Sequence, residues 1–232
     1  MSRAGHSGSP EAERFEASLT PRERRTAARW TSPAAIQAFL DAIPYSTEPV
    51  YRCPLRVLRD RRAHCFDGAL FAAAALRRLG HPPLILELVA ARGLDDVHLL
   101  ALFRRGGHWG AVAKSNCVGL RFREPIYRSL RELALSYFPC YYNVRRQCTL
   151  RGYRRPMNLR ACDRLHWMTR DEHLEAIADR LDRFRLVPLI TQAMAAHLTP
   201  VDRRSYCAGL LGADPRGLFR PRRRGSHRGG RG

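Results

Sequence analysis

Hydrophobic positions fall into stretches of two different periods. Between residues 64 and 79, HCFDGALFAAAALRRL, apolar residues recur with helical spacing. Phe66, Leu70, Ala73 and Ala74 form one stripe, and Ala69, Ala72, Leu76 and Leu79 form its flank. Four consecutive alanines, Ala72 to Ala75, combine high helix propensity with a thin cylinder that approaches a sheet closely. Gly80 suits the position just after the helix, and His81-Pro82-Pro83 prevents its continuation. Two β-rich runs follow, LILELVA over 84–90 and VHLLALF over 97–103. Arg104-Arg105-Gly106-Gly107 predicts a turn into a returning strand, HWGAVAKS over 108–115. A turn centred between the two glycines pairs residues whose numbers sum to 213, which sets His98 opposite Ser115. A shift of one residue brings Lys114 or Asn116 there instead.

Helices are expected on both sides of this group. Thr20-Pro21 and Ser32-Pro33 each pair an N-cap residue with proline at the first helical position. The second opens a short amphipathic helix with Ile36, Phe39 and Leu40 on one face, and Cys53-Pro54 opens another with Leu55, Val57 and Leu58. From Pro125 onward Ile126, Leu130, Leu133 and Tyr137 have helical spacing; residues 139–168 show no period; 171–186 is amphipathic with acids in its first turn; and 190–198 is a further short helix. Strands are grouped rather than interleaved with helices, which predicts an α+β fold with a mostly antiparallel sheet. Three regions are expected: a disordered N-terminus over 1–14, one folded domain over 15–213, and a disordered Arg/Gly-rich tail over 214–232 that supplies nothing to the candidate site.

Composition adds constraints. With 45% apolar and 27% charged residues the chain has the means to build a core. No apolar run approaches the ~20 residues of a membrane helix. The first residues hold no apolar h-region, so no secretory signal is expected. Seven scattered cysteines without a CxxC pair predict a reducing, cytoplasmic setting rather than a disulfide framework or a zinc ribbon. His64-Cys65 adjacency and the spacing of His166 and His173 do not suit a metal, no phosphate-cradling glycine loop is present, and no cofactor is expected. Of the 41 basic residues one is lysine, Lys114, and the other 40 are arginine, giving a net charge of +20. Such a charge favours anionic partners through long-range attraction, with weak contacts expected from the arginine-rich tail.

Candidate chemistry centres on Cys65. A cysteine at a helix N-terminus meets partial positive charge and free backbone N–H groups, which favour a thiolate and an acidic thiol, and which also suit an oxyanion. His98 is the polar side chain inside VHLLALF and the candidate base; Asn116, or more weakly Ser115, is placed to orient it. Asp67, in the first turn of the Cys65 helix, is expected to complement the helix dipole.

Taken together, RRAHCFDGALFAAAALRRLGHPP (Arg61 to Pro83), DDVHLLALF and WGAVAKSN resemble, over about residues 50–120, the transglutaminase-like branch of the papain-like superfamily and its small bacterial members. The resemblance implies a papain-like core in which the alanine-rich Cys65 helix packs on an antiparallel sheet with flanking helices. It implies Cys65 as nucleophile and His98 as general base and acid. The family's third residue is an aspartate, whereas this chain has Ala113, Lys114, Ser115 and Asn116 in that region; asparagine serves the role in papain-like proteases. Two functions follow: thiol-dependent acyl transfer or hydrolysis on an amide or peptide substrate, or a catalytically inactive fold that binds an anionic protein or nucleic acid.

Overall fold

The computed structural model describes residues 9–221. In chain order the elements are α1 (Pro10–Ser18), α2 (Pro21–Ala27), α3 (Pro33–Asp41), α4 (Pro54–Asp60), α5 (Cys65–Arg78), β1 (Leu84–Ala90), β2 (His98–Arg105), β3 (His108–Val112), β4 (Arg123–Tyr127), α6 (Leu130–Leu135), β5 (Leu150–Arg154), β6 (Met157–Asn158), α7 (Leu174–Asp182), β7 (Leu186–Pro188), α8 (Gln192–Ala196) and α9 (Arg203–Gly209). The chain is therefore α+β, with a helix packed on an antiparallel sheet.

The early helices start where local chemistry says they must. Thr20 and Glu23 form a reciprocal capping box at α2, the Ser32 hydroxyl accepts from Ala35 N–H at α3, and proline occupies the first turn of both. The sheet runs in the order β4-β3-β2-β1-β5-β7, with β6 also paired to β1. β2 and β3 form the expected hairpin. Ala101 pairs with Val112 and Arg105 with His108, and Gly106 and Gly107 adopt φ of 57° and 81°, as a turn with two left-handed central residues requires. Ladder pairing ends at Val112, before the polar Lys114-Ser115-Asn116 segment.

Both faces of the sheet are covered. Ile85, Leu99, Ala101, Phe103 and Val112 belong to the core that holds α3, α4 and α5. Their neighbours in alternation, Leu86, Leu88, Leu100, Leu102 and Ala111, pack with Leu133, Tyr137, Leu150 and Tyr153 in a second core. Every residue of α5 from Phe66 to Arg77 is buried. A helix enclosed on all sides needs small side chains, which explains the alanine run. Its one deep cation, Arg77, forks onto Asp163 at 2.8 and 2.7 Å.

Several sequence expectations change. Ile126 lies not in a helix but in edge strand β4, 67% exposed, and the helix begins only after the Ser129 N-cap. Residues 139–168 are not wholly irregular: they carry β5, an interior strand beside β1, whose LRGYR pattern is masked by arginines at its rims. The helix expected over 171–186 is shorter, α7, and is followed by strand β7; α9 was not foreseen. The disordered boundaries also move. Glu11 is buried and accepts from Met168 N–H at 3.0 Å, and Phe15 is buried beside it, so α1 is part of the domain. At the other end Asp214 to Pro221 is held against the domain; the remainder of both expected disordered stretches, 1–8 and 222–232, lies outside the described residues.

Gly68 provides a test of the α5 packing. A Cβ there would fall far inside contact distance of the Lys114 Cβ. Helix propensity alone favours alanine over glycine by about 1 kcal/mol, whereas overpacking a close-packed site costs about 1–3 kcal/mol. Gly68→Ala is expected to be destabilising in urea denaturation; a gain in stability would show that α5 is free to move away from Lys114.

Candidate functional site

The N-terminus of α5 is capped by an imidazole. His64 Nδ1 accepts from the Phe66 N–H at 3.1 Å and faces Asp67 N–H at 3.5 Å, while Asp67 Oδ2 accepts from His64 N–H at 3.3 Å. This is a capping box in which histidine replaces the usual hydroxyl residue. Asp67 is fully buried and also accepts from Arg52 N–H at 2.8 Å. The Arg52 side chain, equally buried, donates to Ser46 Oγ at 3.1 Å and Asp60 at 3.2 Å and pairs with Glu48. Burial raises the Asp67 carboxyl to about 7 despite its N–H donors, and burial followed by the Arg52 charge lowers His64 to about 4. The imidazole is thus neutral, as an acceptor cap must be. Asp67 complements the helix start as expected, through hydrogen bonds rather than as a free charge.

Cys65 is the first residue of α5, and its Sγ faces the Val97 carbonyl oxygen at 3.9 Å. The thiol is not acidic. Burial, then the charge of Asp96, pushes it up to about 12, and the N–H groups of Leu99 and Phe66 act in the opposite direction without prevailing. The expectation of a depressed thiol weighed the helix end but not the desolvation created when that end is pressed against β2.

His98 opens β2 and is buried. Its ring Nε2 lies 2.7 Å from the Leu120 carbonyl oxygen. A carbonyl only accepts, so the proton sits on Nε2 and Nδ1 carries the lone pair. Burial lowers its pKa to about 4, against the opposing effect of the Leu120 carbonyl. Among the described residues no hydrogen bond joins Cys65 to His98.

The two polar groups expected to orient His98 do otherwise. Asn116 exchanges two hydrogen bonds with the Asp214 backbone, both of 2.8 Å, and Ser115 Oγ accepts from Cys117 N–H at 3.0 Å. The register sum of 213 holds in the hairpin, but the strand ends at Val112 and the backbone turns away before Ser115. Lys114 is drawn inward instead, its ammonium donating to the carbonyls of Leu40 and Ile43 at 2.8 and 2.5 Å. The group bonded to the His98 ring is a main-chain carbonyl, which leaves no residue-type signature in the sequence.

Cys65, His98, Ser115 and Asn116 nevertheless line one cavity of about 580 Å³. Its walls hold features that sequence reasoning missed. The Tyr45 phenol lies against the Cys65 backbone, and its pKa rises chiefly through burial. Carboxylates of Glu48, Glu87, Asp95, Asp96 and Asp182 are on the wall, with Arg216 of the C-terminal segment. No group of three His, Cys, Asp or Glu side chains is placed for a metal among the described residues. None of their helices is long and apolar enough to cross a membrane.

No protein-family model matches the chain, and no curated protein does. Among solved structures it is similar to LapG of Legionella pneumophila, with 14% identity over 45% of this chain and 68% of that chain and a TM-score of 0.32. For EGTA-treated Legionella pneumophila LapG the values are 13%, 49%, 72% and 0.35.

A thiol near 12 is protonated throughout the neutral range, so alkylation of Cys65, followed by peptide mapping, is expected to rise about tenfold per pH unit between about pH 7 and 10 without a plateau. Asp96→Asn removes a charge that opposes the thiolate and should raise the rate at every pH. A plateau near pH 8 would contradict the desolvated thiol.

Proposed function

We propose that this chain acts by thiol-dependent acyl transfer or hydrolysis on an amide or peptide substrate, in the manner of transglutaminase-like proteins. The observation that carries the reading is the convergence of Cys65, at the start of α5, and His98, at the start of β2, on one cavity, with the Leu120 carbonyl leaving the His98 Nδ1 as a basic atom. In this reading the Sγ proton passes to Nδ1 as sulfur attacks the substrate carbonyl carbon. The resulting oxyanion is met by N–H groups at the start of α5, and the imidazolium returns its proton to the departing amine. Water or a second amine then resolves the thioester, and the thiol is restored.

Energetics dictate a condition for this chemistry. With the thiol near 12 and the imidazole near 4, creating the two charges separately is uphill by on the order of 10 kcal/mol. The resting pair is neutral, and proton transfer requires Sγ and Nδ1 to be brought together so that each charge stabilises the other. Leu120, rather than Asn116 or Ser115, is the orienting partner in this scheme.

The same two pKa shifts favour a second reading, a binding module with no chemistry. The carboxylate-bearing wall does not suit an anionic ligand inside the cavity, so in that reading an anionic protein or nucleic acid would contact arginines elsewhere on the surface.

The two readings part in a screen of peptide and amide substrates with intact-mass detection of an acyl group on Cys65. Turnover is expected to vanish in Cys65→Ala and to fall by about 10²–10⁴-fold in kcat in His98→Ala, the range of general acid–base catalysis. No adduct and no turnover across the panel would support the binding module.

A further inference from the structure

One side of the cavity is built by the C-terminal segment. Arg216, Gly217, Leu218 and Phe219 line it together with Cys65 and His98. Three contacts hold this segment. The Asn116 side-chain amide donates to the Asp214 carbonyl and accepts from the Asp214 N–H, each at 2.8 Å. Further along, the backbone of Gly217 comes so near that an added Cβ would stand 3.0 Å from Asn116 Nδ2 and 3.0 and 3.1 Å from two carbons of the Tyr45 ring. Tyr45 is the residue whose phenol lies against the Cys65 backbone. Beyond the cavity Arg145 Nη2 donates to the Pro221 carbonyl at 2.9 Å.

The chemistry of the Asn116 contact identifies what it recognises. A carboxamide carries one acceptor and an N–H donor side by side, as a peptide group does, and it satisfies both main-chain groups of one residue without touching its side chain. Asp214 sits at φ −75° and ψ 117°, a conformation open to most residues, and caps a 3-10 turn over Pro215–Gly217 in which the Gly217 N–H donates to the Asp214 carbonyl at 3.0 Å. The close approach at Gly217 selects for backbone without a side chain at that point. A built polypeptide seat is therefore present beside Cys65, and this chain's own C-terminal segment is in it.

We propose that residues 214–219 form an intramolecular strap that closes one side of the Cys65 cavity, and that the cavity's ligand is a polypeptide segment held through its backbone by Asn116, which enters by displacing the strap. The proposal rests on the reading of the Cys65 cavity as the acting site. It reverses the expectation that the C-terminal region contributes nothing there.

The test uses two full-length variants and Cys65 alkylation at a fixed pH. Gly217→Leu drives a side chain into Tyr45 and Asn116. Asp214→Pro removes the N–H that Asn116 accepts, at a φ that proline already fits. Buried Cys53 and Cys162 report unfolding in the same digest, and exposed Cys207 reports reagent activity. Both variants are expected to label Cys65 at least tenfold faster than the unaltered chain, with Cys207 unchanged and Cys53 and Cys162 protected. An excess of the synthetic peptide GADPRGLFRP, the sequence of residues 212–221, is expected to restore slow labelling. Should Gly217→Leu unfold, the milder Asp214→Pro decides. An unchanged Cys65 rate in a folded variant, or acceleration that the peptide does not suppress, would overturn the strap. Strap-dependent labelling without turnover of any substrate sinks the hydrolase reading alone; turnover with strap-independent labelling sinks the strap alone.

Discussion

The contact between the N-terminal end of α5 and the start of β2 governs the rest of the molecule. It brings Cys65 against the backbone of residues 97–99 and withdraws the thiol in large part from water, leaving the residue half-buried. The same burial requires a cap that brings no exposed group with it. His64 and Asp67 supply that cap, and Arg52, itself buried, anchors Asp67 with its main-chain N–H and an ion pair at 3.7 Å. Leaving one of these groups unpaired in such a place would cost about 1–3 kcal/mol, more for a charge. The thin alanine helix, the buried acid and the high thiol pKa are consequences of one close approach.

Charged side chains are unevenly placed, with several acids gathered at the cavity wall and some of them paired with arginine. The chain carries +20 overall, yet the cavity wall is rich in carboxylates, of which Asp95 is held by the Thr149 hydroxyl at 2.6 Å and Asp96 lies close enough to raise Cys65. Many arginines are not a solvated coat. Arg154 pairs with Glu87 and reaches the Phe184 carbonyl; Arg131 donates to the carbonyls of Pro188 and Leu189; Arg123 bonds Ser136 and Gly119 and stacks over Tyr137 at 3.9 Å. A planar guanidinium with five donors ties irregular backbone together in a way lysine does not. The arginine-rich composition has a structural use that net charge alone does not convey.

The segment between β3 and β4 shows how one polar cluster is divided among three tasks. Lys114 ties the end of α3 and the loop after it, Ser115 closes a local turn, and Asn116 grips the C-terminal segment. None of them reaches His98, and a carbonyl from the following turn takes that place. The sequence order cysteine, histidine, polar residue is present, but each polar residue bonds elsewhere.

Local physics made much of this legible in the sequence. Prolines after Thr20 and Ser32 marked helix starts, Gly106-Gly107 set the hairpin register, and the alanine run marked a thin helix able to approach the sheet, with Cys65 at its head. These features depend on neighbours within a few residues, where φ preferences, capping and side-chain volume act. What tertiary structure alone decided depends on contacts across long separations. β5 was hidden because its place beside β1 is fixed by partners 60 to 65 residues away. Asn116 was drawn to Asp214 across 98 residues, and Leu120 offered a backbone atom that no side chain advertises. The protonation of Cys65 was decided there as well. A helix end favours a thiolate wherever it occurs, but the degree of desolvation is set by what packs over it, and here β2 and Asp96 outweigh the helix.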